Sequence, residues 1–208
     1  MIRRAGAAGI HIDVCDGHFA PGITVGAPVI VSLRRATSLA LDVHLRVERS
    51  ERFVGEFIEA GADRLAVHAE TTPDLSGVVR TIQAKGAQAG AALNPGTPLA
   101  AVEEVLADLD FLLLASSDEE EIKLPDCVRR VREACEVRQR RRAGCAVQVE
   151  GGIDPEETAE LIAAGADALV VGANVFGRED SEGRLRDLVQ RAAEAKGNVV
   201  VAGSHRRE

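Results

Sequence analysis

Apolar residues fall along this chain in short, nearly unbroken runs, and several of these runs are entered through the same small-residue turn. Ala5-Gly6-Ala7-Ala8 leads into Ile10-His11-Ile12-Asp13, Ala60-Gly61-Ala62-Asp63 into Leu65-Ala66-Val67-His68, and Ala164-Gly165-Ala166-Asp167 into Leu169-Val170-Val171-Gly172. Each copy reads as a helix end followed by a strand. The glycine supplies the positive-φ helix stop, and the run after it suits a strand covered on both faces. Further strands are expected near Ala40 to Leu45, Gln88 to Leu93, Phe111 to Leu114 and Ala146 to Val149, with amphipathic helices such as Val102 to Leu109 and Pro155 to Ala164 between strands.

Strands alternating with helices predict an α/β protein with a parallel sheet, and this pattern alone fits a TIM-type barrel and an open doubly wound sheet equally well. Seven strands are visible where a closed (β/α)8 barrel needs eight. Met1 to Ala5 reads as the last turn of a helix with nothing before it, so strand 1 and most of a helix are expected to be missing. A truncated or wrongly assigned start would explain this, as would a barrel repaired in some other way.

With 208 residues, 46% of them hydrophobic, the chain can build one sizeable core, and no linker divides it, so residues 1–208 are expected to form a single barrel domain. Aromatic content is 2%, all Phe, which leaves Ala, Val, Leu and Ile to fill the interior, as suits a crowded parallel barrel. The net charge of −8 argues against nucleic acid as a partner, and the basic cluster from Arg138 to Arg142 reads as a solvated loop. Cys15, Cys127, Cys135 and Cys145 show no CxxC pair or zinc-finger spacing, and no signal peptide precedes them, which points to a reduced, cytoplasmic protein. No apolar stretch approaches the ~20 residues of a membrane helix, so no membrane partner is expected.

Chemistry enters at the strand ends. His11 and Asp13 are two apart, so their side chains share a face, and they lie at the C-terminal end of a strand, where βα-loop sites form. His44 ends the following strand and Glu150 a later one. Singly, each of these reads as a packed core histidine or a capping acid. Together, two imidazoles and two carboxylates make a divalent metal site, best suited to zinc and open to iron, cobalt or manganese.

The segment His11-Ile12-Asp13-Val14-Cys15-Asp16-Gly17-His18-Phe19-Ala20-Pro21 strongly resembles the strand 2 signature of ribulose-phosphate 3-epimerases. Asp42-Val43-His44-Leu45, Asn94-Pro95-Gly96-Thr97-Pro98-Leu99, Val149-Glu150-Gly151-Gly152 and Gly172-Ala173 follow in matching order, so the resemblance runs from about Ala5 to about Phe176 and favours the barrel. It implies that His11, Asp13, His44 and Glu150 hold one divalent metal ion and that Asp13 and Glu150 are the acid/base pair. It also implies that His44, Gly151, Gly152, Gly172 and Ala173 contact a sugar phosphate. His68 also ends a strand and is typical of the family in that place, where it either supports the metal ligands from behind or simply packs, and a homo-oligomer is expected. The implied reaction inverts C3 of D-ribulose 5-phosphate to give D-xylulose 5-phosphate through an enediolate.

Several positions depart from that pattern. Glu150 stands where the family has Asp, and Ala173 replaces its usual Ser. After strand 6 of the family, a glycine-rich phosphate loop is replaced by Ser116-Ser117 and the acidic run Asp118-Glu119-Glu120-Glu121, and Cys15, Arg46 and Ala115 take the places of small apolar and Met residues. The family's strand 1 also carries a substrate-contacting Ser with no counterpart here. These differences keep two alternatives open: an epimerase of another or unphosphorylated ketose, and an inactive paralogue serving as a binding or oligomerisation module.

Overall fold

In the computed structural model, which describes residues 1–115 and 124–195 and the backbone of 198–202, the three small-residue turns do what their pattern predicts. Gly6, Gly61 and Gly165 adopt φ of 90°, 111° and 115° and stop their helices in the left-handed region, where side chains other than hydrogen are strained. The aspartate that closes two of these turns has its own task. Asp63 Oδ2 accepts the backbone N–H of Leu41 and Asp167 Oδ2 that of Val147, each at 2.8 Å, and Asp110 does the same for Ala89. Each carboxylate therefore pins the start of a neighbouring strand.

The strands are β1 (Gly9–Cys15), β2 (Ala40–Arg46), β3 (Arg64–His68), β4 (Gln88–Leu93), β5 (Phe111–Leu114), β6 (Ala146–Glu150), β7 (Ala168–Val171) and β8 (Asn198–Ala202). They pair in chain order, all parallel, and close into a barrel. Around it lie α1 (Ile2–Ala5), α2 (Ala27–Ala36), α3 (Val54–Glu59), α4 (Leu75–Ala84), α5 (Leu124–Arg141), α6 (Pro155–Ala164) and α7 (Ser181–Glu194). Outward-facing residues such as Leu41, Val43, Leu65, Val67, Val147 and Leu169 are fully or almost fully buried under these helices and form the main apolar core.

The inward-facing residues build layers. Near the N-terminal end of the barrel, the Arg64 guanidinium lies 4.1 Å from the centre of the Phe111 ring, a cation–π contact. Gly90 lets that ring fill the interior, since a Cβ there would collide with it. Above this plug the inward positions turn polar, with Asp42, Gln148, His11, His44 and His68 all at most 1% exposed.

All seven expected strands are present, and the eighth lies at the opposite end of the chain from the one expected. β8 pairs with β7 along Ala168–Val171 and with β1 at Ile10 and His11, so residues 198–202 close the barrel between β7 and β1. Val102 to Leu109 is corrected in kind. Val102, Leu106 and Leu109 are buried as an amphipathic face requires, but the stretch closes i→i+3 hydrogen bonds, as in Val105 N to Val102 O and Asp108 N to Val105 O, and forms successive turns. The basic cluster is also corrected: Arg138 to Arg141 form the last turn of α5, where cations favour the helix dipole, and Arg138 and Arg141 pair with Asp167 and Glu103. Ser116 to Glu121 lie outside the described residues. Among the described residues, no helix is long and apolar enough to cross a membrane.

A candidate metal centre at the barrel mouth

Parallel strands deliver alternate side chains to the interior, and their C-terminal ends meet at one mouth. His11 and Asp13 come from β1, His44 from β2 and Glu150 from the last residue of β6, and one ligand atom from each lies within 4.8 Å of the others. His44 Nδ1 is 3.0 Å from Asp13 Oδ1 and 3.2 Å from Glu150 Oε2, while His11 Nε2 is 3.6 Å and 3.9 Å from the same oxygens. Metal bonds of about 2.0–2.2 Å in tetrahedral array separate neighbouring ligand atoms by about 3.3–3.6 Å, and the observed spacings straddle that range.

Two of these atoms, His11 Nε2 and Glu150 Oε2, are buried without a hydrogen-bond partner. Unsatisfied buried polar atoms are costly, and a cation between them would satisfy both. The residues present therefore fit a divalent ion.

The electrostatics agree. Burial alone would raise the Asp13 carboxyl, but hydrogen bonds from His11 and His44 hold it well below the usual carboxylate range. Burial opposes charge on His11 and His44 too. Asp42 and Asp13 nevertheless hold His11 well above its ordinary value, and Asp13 and Glu150 raise His44. Protons on the imidazoles thus supply the positive charge the carboxylates call for when no cation is bound.

Behind these candidate ligands stand residues that the sequence alone does not single out. Asp42 Oδ2 lies 3.0 Å from His11 Nδ1 and accepts a 2.7 Å bond from Gln148 Nε2, whose Oε1 accepts from Arg64 Nη2 at 2.8 Å. Burial would raise the Asp42 carboxyl, but His11 and Arg64 pull it down to about 2, so it remains an acceptor. A signal existed: Asp42 precedes His44 by two residues and Gln148 precedes Glu150 by two, so each lies on the same inward face one layer deeper.

His68, expected to support the ligands or simply to pack, ends β3 with its Nε2 2.9 Å from His44 Nε2. Its ring stacks on His44 and meets the edge of Phe19, whose loop is held by Asp16 accepting the N–H groups of His18, Phe19 and Glu48. Burial, with smaller pushes from His44 and Arg46, lowers His68 to about 4 against the pull of Glu70. Arg46 is itself buried, two residues beyond His44 on the same strand face. Gly151, Gly152, Gly172 and Ala173 follow β6 and β7 directly, and Asn174 Nδ2 ties the two loops together through the carbonyls of Gly152 and Ile153.

A parallel barrel with carboxylates and imidazoles gathered at its C-terminal mouth has the layout of a TIM-barrel enzyme. A model of the ribulose-phosphate 3 epimerase family matches residues 1–176. The chain is 38% identical over 188 residues to the ribulose-phosphate 3-epimerase of Aquifex aeolicus, covering 89% of this chain and 85% of that protein. It is 36% identical over 191 residues to the enzyme of the same name from Bacillus subtilis, covering 90% and 88%. The chain belongs to the ribulose-phosphate 3-epimerase family, whose members named here are isomerases. Its fold is shared more widely: the solved 3-keto-L-gulonate-6-phosphate decarboxylase of Vibrio cholerae superposes with a TM-score of 0.69 at 13% identity, over 90% of this chain and 98% of that one.

Proposed function

We propose that this protein is a metal-dependent epimerase that inverts C3 of a ketopentose phosphate, converting D-ribulose 5-phosphate to D-xylulose 5-phosphate. The observation that carries the reading is the convergence of Asp13 and Glu150, from well-separated strands, on one buried site beside two imidazoles. Inverting a carbon next to a ketone removes a proton from one face and returns one to the other, so a carboxyl group must stand on each side of the substrate. Asp13 and Glu150 take these roles, one receiving a proton at a carboxylate oxygen while the other gives one up.

A divalent ion, zinc by the donor set, would be held by His11, Asp13, His44 and Glu150. When bound, it supplies Lewis-acid stabilisation of the negative charge that develops on the substrate oxygens. The imidazoles of His11 and His44 are held in place by their outer partners and present one nitrogen each. The loops carrying Gly151, Gly152, Gly172 and Ala173 offer close backbone approach to the phosphate.

An epimerisation assay with zinc, manganese or iron, on ribulose 5-phosphate and the free ketose side by side, tests the proposal. Turnover of the phosphorylated sugar is expected. Turnover of the free sugar alone would shift the substrate to an unphosphorylated ketose. Metal binding without turnover of either would move the reading to a non-catalytic member of the family.

A further inference from the structure

Glu70 lies in the turn Ala69–Thr71 directly after β3, outside the ligand set, and makes three hydrogen bonds that share a direction. Its Oε1 accepts the N–H of Asn94 at 2.8 Å and the hydroxyl of Thr97 at 2.5 Å, and its Oε2 lies 3.0 Å from His68 Nδ1. The 94–97 segment is itself anchored, because Arg130 of α5 donates to the Pro95 carbonyl. An ionised carboxylate only accepts, so the polarity of everything attached to it is fixed.

His68 must therefore donate its Nδ1–H to Glu70. The two facing nitrogens, His68 Nε2 and His44 Nε2, are 2.9 Å apart and share one proton. With His68 Nδ1 committed as donor, a neutral His68 accepts at Nε2, and His44 is the donor. That makes Nδ1, on the side facing Asp13 Oδ1 and Glu150 Oε2, the nitrogen that His44 can give up to an ion, its proton going to the carboxylates only while no metal is bound.

We propose that Glu70 is a positioning residue of the metal centre, setting through His68 the tautomer and ring orientation in which His44 offers Nδ1 to the ion. The inference rests on the metal-centre reading above and extends it to the loop after β4. Outer partners of metal-bound histidines set their tautomers in this way, and their removal weakens metal binding about 10–100-fold.

The test uses the full chain loaded with zinc. Histidine 15N–1H correlation spectra of the parent are expected to show His44 with zinc at Nδ1 and a proton at Nε2, and His68 with a proton at Nδ1 and a bare Nε2. Glu70→Gln keeps the side-chain shape but its amide can donate to His68 Nδ1, which reverses the chain. Its zinc affinity, measured by chelator competition, should fall about 10–100-fold. Thr97→Val removes a loop bond and spares the His68 bond, so it should lower the melting temperature and leave zinc affinity unchanged. Zinc at His44 Nε2 in the parent, parental zinc affinity in Glu70→Gln, or an equal loss in Thr97→Val would each overturn the inference, and the parent spectrum decides it even where a variant misfolds. A parent that binds no zinc would overturn the metal-centre reading and this inference with it, whereas a zinc-binding parent matched by Glu70→Gln would overturn this inference alone.

Discussion

Asp42 Oδ2 lies 3.0 Å from His11 Nδ1, one layer below the barrel mouth, and turns the opposite ring nitrogen toward Asp13 and Glu150. The same oxygen is held by Gln148, and Arg64 Nη1 stands 3.6 Å away. Asp42→Asn should therefore weaken zinc binding about 10–100-fold by loosening His11. It should also cost roughly 3 kcal/mol of stability, because it leaves the part-buried Arg64 charge without its counter-ion. Chelator competition and denaturant titration measure the two effects separately, and parental zinc affinity in this variant would show that His11 is oriented by other contacts.

The purified protein should carry about one divalent ion per chain, since one four-residue cluster of suitable donors is found among the described residues. His11→Ala and His44→Ala should each lose most of it by elemental analysis. Full retention in both would remove these residues from the ligand set.

Glu150→Gln keeps the size of the side chain but can neither take up nor release a proton. Turnover should fall about 10²–10⁴-fold with a smaller change in KM, as expected for loss of a general acid/base. Steady-state kinetics on ribulose 5-phosphate with saturating zinc gives the comparison. Parental kcat would place the proton carrier elsewhere.

Acid and base should both destabilise the metal-free protein, each through different histidines. His68 is depressed from 6.5 to about 4, so the unfolded chain binds its proton more readily, and stability rises with pH across that interval. His11 and His44 are raised above 6.5, so their contribution is complete below that value and is lost as pH climbs through the folded values. With metal chelated, thermal stability should peak near pH 6.5 and decline above neutrality, by about 2–4 °C for each kcal/mol lost. Zinc must displace the imidazole protons, so its stabilising effect should grow from pH 6 to pH 9. Melting curves with zinc or chelator across this range test both trends, and a zinc effect that shrinks as pH rises would contradict the assignment.

Deleting residues 197–208 removes β8 and leaves β1 and β7 with unpaired edges. An opened barrel exposes strand edges that template association, so the truncated chain should melt about 10 °C or more below the parent and aggregate. Scanning calorimetry and light scattering read these outcomes. A monomeric variant with the parental melting temperature would mean that β8 contributes little to closure.

Much of this molecule is legible in one dimension. The Ala-Gly-Ala turns locate helix ends because glycine adopts the left-handed stop without strain, and short apolar runs, three of them after these turns, locate seven strands because a strand covered on both faces admits few polar residues. The period of two along a strand puts His11 with Asp13 on one face, and recognisable motifs add His44 and Glu150. That same period held Asp42 and Gln148, but a lone polar residue inside an apolar run does not say which partner awaits it. Tertiary structure decided the rest. Val199 to Val201 is an apolar run like others in the chain, and its role as part of the closing strand depends on a gap between β7 and β1 that exists only once the other strands have curled together. Glu70 reads as an ordinary turn acid until the loop after β4 brings Asn94 and Thr97 to one oxygen while β3 brings His68 to the other. Spacing along a strand is a local property of the backbone, whereas the direction of a hydrogen-bond chain is set by donors and acceptors from elements far apart in sequence, and only the folded barrel brings these together.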